Sequence, residues 1–136
     1  GSANKLDDYE EGTWSIYISD GTTNSPSKTQ RYTKIGNVVT LTIDLYNINI
    51  SSLSTTALSV RGLPYAAINA TPDARTVLVG SLTNNHPILM QVGANGTTAN
   101  LYYEYSGGAN LDTLKKGDFG STTNATLHGS IIYYTA

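Results

Sequence analysis

The sequence predicts an all-β fold, a two-sheet antiparallel β-sandwich of about eight strands with a jelly-roll-like arrangement. Three observations predict it. Apolar and polar residues alternate at period two in every informative window, no stretch of a dozen residues keeps an apolar stripe at helical spacing, and short strand-like runs are separated by Gly, Asn and Pro turn signals. At 136 residues the chain has the length of one domain. Gly1-Ser2 reads as a cloning remnant, residues 1–5 as remnant and linker, and residues 6–136 as a single β-sandwich domain.

The first strand is expected over residues 13–18, where Trp14, Ile16 and Ile18 face one way and Thr13, Ser15 and Tyr17 the other. Ser19-Asp20-Gly21 ends it, and a polar loop containing Pro26 leads to a second strand over 29–35. Gly36-Asn37 then suits a two-residue type II′ hairpin into a long third strand from Val38. In that strand Val39, Leu41, Ile43 and Leu45 share one face, after which the apolar phase jumps to Tyr46, Ile48 and Ile50. Such a jump needs a bulge, a strong twist or a sandwich corner near Leu45. Leu58 and Val60 continue the pattern up to Gly62-Leu63-Pro64, where the proline ends a ladder or lies on an edge. A loop to Asp73 follows. Further strands fit 75–82, 87–92, 98–105 and 126–134, with Asn95-Gly96 as a hairpin turn, Gly107-Gly108 as a break, and at most a helical turn within 111–124.

Composition narrows the function. Only 13% of residues are charged and the net charge is −2, so Thr, Ser and Asn carry the polarity, which excludes a coiled coil or a charged disordered tail. No basic cluster exceeds Lys115-Lys116, so the expected partners include neither nucleic acid nor an anionic membrane surface. No apolar run approaches the roughly 20 residues that span a bilayer, so membrane insertion is not expected. The chain has no cysteine and two separated histidines, His86 and His128, and no cofactor is expected.

Three blocks carry a resemblance: Leu6-Asp7-Asp8-Tyr9-Glu10-Glu11-Gly12-Thr13-Trp14, then Arg31-Tyr32-Thr33-Lys34-Ile35-Gly36-Asn37-Val38-Val39, then Gly62-Leu63-Pro64-Tyr65. In order and spacing they resemble the C-terminal domain of bacteriophage tail fibres and tailspikes, over residues 6–65. The chain departs from the common pattern at Ser15-Ile16-Tyr17, where members often carry a proline. The resemblance implies a small β-sandwich at the distal end of a homotrimeric fibre on the virion. It would serve trimer assembly, recognition of a bacterial surface polysaccharide, or both. A purely structural trimer clamp and a glycan-processing accessory domain are the competing readings. Threefold symmetry suits weak sugar sites, since three copies on one scaffold raise avidity about 10²- to 10⁴-fold.

The candidate residues follow from strand phase. Ten tyrosines beside one phenylalanine favour rings with a polar tip, the type enriched at interfaces and wet recognition surfaces. Tyr102 and Glu104 share the face opposite Leu101, Tyr103 and Tyr105, pairing a ring that stacks on a sugar with a carboxylate that accepts its hydroxyls. Asp44 with Tyr46 is a similar pair. The bland reading of both is the polar face of a half-buried strand. Leu6, Tyr9, Trp14 and His128 are the candidates for the subunit contact or the segment leading into it, with core packing as the plainer use of Trp14. Asp7, Asp8, Glu10 and Glu11 lack the spacing of a calcium loop and read as a solvated or ion-paired segment, with Lys5, Arg31 or Lys34 as partners. No metal site is expected.

Catalysis is not expected either. Glu104 with Asp112 or Asp118 could supply a carboxylate pair, but surface acids meet that requirement by accident, and no Gly-x-Ser-x-Gly elbow is present. The four Asn-x-Ser/Thr sequons, at Asn49, Asn69, Asn95 and Asn124, are what so much Asn and Thr produces by composition.

Overall fold

The computed structural model describes residues 8–68, 74–104 and 111–136. Its strands are β1 (Tyr9–Ser19), β2 (Lys28–Ile35), β3 (Val38–Ile48), β4 (Ser59–Arg61), β5 (Arg75–Gly80), β6 (Ile88–Val92), β7 (Thr98–Glu104), β8 (Leu111–Thr113) and β9 (Ala125–Tyr134). The all-β expectation holds, but the two-sheet, jelly-roll-like sandwich does not. Eight strands close into an antiparallel barrel in the order β4-β1-β2-β3-β9-β5-β6-β7, with β7 returning to β4.

Closure depends on two strands that turn corners. β1 pairs with β2 from Tyr9 to Ile16 and with β4 from Tyr17 to Ser19. β5 pairs with β6 from Arg75 to Leu78 and with β9 at Val79 and Gly80. Each corner strand belongs to both layers, so among the described residues the eight strands close on one another, and β8 is added outside the ring with β7 as its partner. Alternation of inward and outward side chains is identical in a sandwich and a barrel, which is why period two did not distinguish them.

Local chemistry explains the turns. Ile35 pairs with Val38 across Gly36-Asn37, and Gly36 has φ +59 while Asn37 is absent from the positive-φ residues, as a type II′ turn requires. The phase change in β3 is a bulge between Leu45 and Ile48, with Asn47 at φ +54. Ile48 and Ile50 are buried beyond it, whereas Tyr46 is exposed and does not join their phase. Asn95 takes φ +58 in the β6–β7 connection, as its hairpin role requires. The segment 111–124 contains the short strand β8, outside the ring of eight, as well as a 3₁₀ turn at Lys116–Asp118. Tyr105, Gly107-Gly108 and Asn69 lie outside the described residues, as does the end of the loop expected to reach Asp73.

The core fills the barrel. Trp14, Ile16 and Ile18 of β1 meet Val39, Leu41, Ile43 and Leu45 of β3, with Met90, Leu101, Leu127 and Ile131 among the inward residues of the other strands. Buried Ile50, Leu53, Leu114 and Phe119 cover one end. Residues 62–68 cross the other, where Leu63 N–H donates to the Thr97 carbonyl, Ala67 N–H to the Gly96 carbonyl, and Ile68 N–H to the Tyr134 carbonyl.

Candidate functional site

The two layers of the barrel present different outer faces. On the layer β1-β2-β3-β9, strand register places Tyr9, Ile35, Val38 and Tyr134 side by side in one row. The next row contains Glu11, Thr33, Thr40 and Ile132. Ile35 is 62% exposed, Ile132 58% and Tyr134 52%, and exposed Val79, paired with His128, extends the apolar surface onto β5. Outward positions of a strand normally carry polar side chains, so exposed apolar residues adjoining in register make this face a candidate contact surface.

Several predicted site residues meet on this face. His128 Nδ1 lies 3.0 Å from Asp44 Oδ1, and the Tyr46 and His128 rings are 4.1 Å apart between centroids. Gln30 side-chain groups bond the Asp44 backbone N–H and carbonyl at 3.1 Å each, continuing the β2–β3 ladder with a side chain. Asp44 and Tyr46, expected as a sugar-binding pair, thus sit with His128, expected at a subunit contact, in one cluster. Tyr9 lies on the same face, its hydroxyl donating to Glu11 Oε2 at 3.0 Å. Trp14 does not: it is 4% exposed, inside the barrel, with Nε1 donating to the Arg31 carbonyl, so its subunit-contact role is corrected to core packing. Leu6, with Asp7, lies outside the described residues.

The other layer carries two hollows, one largely polar and one largely apolar. Along one edge β7 pairs first with β4, through Thr98 to Asn100, and then with β8, through Tyr102 to Glu104. Leu114 bridges the junction, accepting from Leu58 N–H and donating to the Leu101 carbonyl. Above it is a hollow of about 250 Å³ lined by Asp20, Ser59, Arg61, Asn100, Tyr102 and Thr113 among others. Tyr102 and Glu104 do share the outward face of β7, yet they open into different hollows. Glu104 borders a separate, largely apolar one of about 160 Å³ with Val77, Pro87, Leu89 and Leu111. The Glu104 carbonyl also takes a hydrogen bond with His86 Nδ1. Asp112, 3.9 Å from Lys115 Nζ, and Asp118, which accepts from Lys115 N–H, each serve a local contact.

Asp20 at the groove's end is a brace. Oδ1 accepts from the Thr22 and Thr23 N–H groups at 2.8 and 2.6 Å and from the Thr22 hydroxyl, while Oδ2 accepts from Ser54 N–H at 2.7 Å. These donors, Ser54 first, hold its carboxyl well below the usual carboxylate range. A lowered folded-state pKa stabilises the protein fully above the unfolded value near 4, and the contribution is lost as pH falls through the lowered one. Asp20→Asn is therefore expected to be less stable than the parent at pH 7, with the gap closing as pH falls below about 4, in urea unfolding followed across that range.

The sequence reading missed a polar cluster at the end of the barrel crossed by residues 62–68. Tyr32 and Tyr65 each donate a hydroxyl hydrogen bond to Glu10 Oε1 at 2.5 Å, with the rings edge to face and centroids 5.6 Å apart. Lys34 Nζ stands 5.4 Å over the Tyr65 ring. The phenols of Tyr32 and Tyr65 lower the Glu10 carboxyl, and Glu10 in turn raises the Tyr65 hydroxyl. Beneath them the Tyr133 hydroxyl donates to the Tyr65 carbonyl at 2.8 Å and burial pushes it up to about 12. Gly12 leaves room for this arrangement, because a Cβ on it would lie 2.8 Å from the outer end of the Tyr32 ring and displace it. Glu10 and Gly12, Tyr32 and Lys34, and Tyr65 come from the three separated blocks that carry the tail-fibre resemblance. A usable signal was present, since Glu10 and Gly12 share the inward phase of Trp14.

No family model and no curated protein matches the chain.

Proposed function

We propose that the chain is the trimerisation and receptor-binding domain of a phage tail fibre or tailspike, placed at the fibre's distal end and recognising bacterial surface carbohydrate. The observation that carries this reading is the registered apolar row Tyr9, Ile35, Val38 and Tyr134 with Ile132 beside it, on the outer face of one barrel layer. Packed around a threefold axis, that face removes its exposed isoleucines and tyrosines from water, each worth about 1.5–3 kcal/mol when fully covered. The other layer then points away from the axis and carries the polar groove towards the cell surface. The convergence of the three resembling blocks in one hydrogen-bonded cluster supports reading them as one structural unit.

Sedimentation equilibrium tests the proposal. Three times the 14.5 kDa chain mass is expected at micromolar concentration. A stable particle of one chain mass would reject the fibre reading.

A further inference from the structure

The groove over the β4–β8 junction has the parts of a saccharide site, and its charge says which kind. Ser59 and Asn100 stand side by side in register on the outward face. Their short side chains leave a hollow between Arg61, one row to one side, and Tyr102, one row to the other, with rows about 7 Å apart along the strands. Both flanking side chains are half-buried, so each is held in place by its neighbours. Arg61 Nε donates to Ser59 Oγ at 3.1 Å, which orients the guanidinium. Among the described residues Arg61 forms no ion pair, and its terminal nitrogens have no protein acceptor. The carboxylate lining the same hollow, Asp20, already accepts four hydrogen bonds, which occupy its lone pairs, and it forms no ion pair with Arg61.

We propose that this groove binds an acidic saccharide unit of the uronic-acid type, with the sugar carboxylate on the Arg61 guanidinium, the ring against Tyr102, and the hydroxyls on Asn100 and Thr113. Arg presents paired donors that match a carboxylate, and an aromatic ring covers the apolar face of a pyranose. The inference deepens the carbohydrate-binding part of the proposed function and rests on it.

The test is an NMR titration of the whole chain with a glucuronic-acid disaccharide and with the same disaccharide whose acid is reduced to glucose. The acidic sugar is expected to bind about tenfold more tightly, the worth of one charge-assisted contact at a wet surface. Arg61→Gln removes that preference, and Tyr102→Ala weakens both sugars by about tenfold. The unchanged amide spectrum of each free variant shows that the barrel is intact. Equal affinity for the two sugars, no binding of either, or a preference that survives Arg61→Gln would overturn the proposal. A trimer that fails these titrations removes the groove alone, and a monomer that passes them removes the fibre reading while keeping the groove.

Discussion

Glutamate at both Ile35 and Ile132 is expected to leave a folded barrel that sediments as a single chain. Both side chains point outward and are more than half exposed in the isolated subunit, at 62% and 58%, so their replacement disturbs no core contact. Unfolding free energy of the subunit should change by no more than about 0.5 kcal/mol per site, the usual range for surface substitutions. In the proposed trimer the same residues would face other copies. There each substitution forfeits about 1.5–3 kcal/mol of apolar burial and brings like charges together around the axis, at a further cost of several kcal/mol. Association should weaken by more than about a thousandfold. A double variant that remains trimeric would place the contact elsewhere on the barrel.

Gly62→Ala is expected to have the largest effect on the subunit itself. Gly62 has φ +93, and a Cβ there would lie 2.1 Å from the Ser15 carbonyl oxygen. That approach occurs where β1 leaves β2 for β4, so the barrel corner cannot accept the methyl without parting the two strands. Gly36 provides the control, because its φ is +59 but nothing lies within 4 Å of the added carbon. Gly36→Ala meets only the backbone penalty of about 1–2 kcal/mol. Gly62→Ala adds a backbone collision to it and should lose about 3 kcal/mol or more in denaturant unfolding, a large share of the roughly 5–15 kcal/mol that holds a domain folded. Similar losses at the two glycines would show that the corner yields and that the close approach is not what closes the barrel.

What could be read from the sequence was what depends on neighbours along the chain. Period two put Trp14, Ile16 and Ile18, and Val39 to Leu45, on the buried side, and the Gly36-Asn37 turn followed from the φ that a glycine accepts. Barrel closure depends on partner changes after Ile16 and after Leu78, and a strand that exchanges partners alternates as before. The same blindness applies to the sites. Asp44, Tyr46 and His128 were each marked by strand phase, but only the β3–β9 register brings them together. Tyr102 and Glu104 were paired because they share a face, but along the same β7–β8 ladder one borders the hollow of Arg61 and Asn100 and the other that of Val77, Pro87 and Leu89. Glu10 was read with its acidic neighbours as a solvated segment, whereas its phase is that of Gly12 and Trp14 and turns it in towards Tyr32 and Tyr65.

The most direct test of the account is the solvent accessibility of the Ile35 and Ile132 δ1 methyl groups in the parent protein, read from their relaxation by a soluble paramagnetic reagent. Leu111, 51% exposed on β8 and away from the proposed contact, is the internal reference. The account predicts that both isoleucine methyls are shielded while those of Leu111 relax strongly. Isoleucine methyls relaxed as strongly as the Leu111 methyls would show that this face is bare in solution and contradict the assembly derived from it.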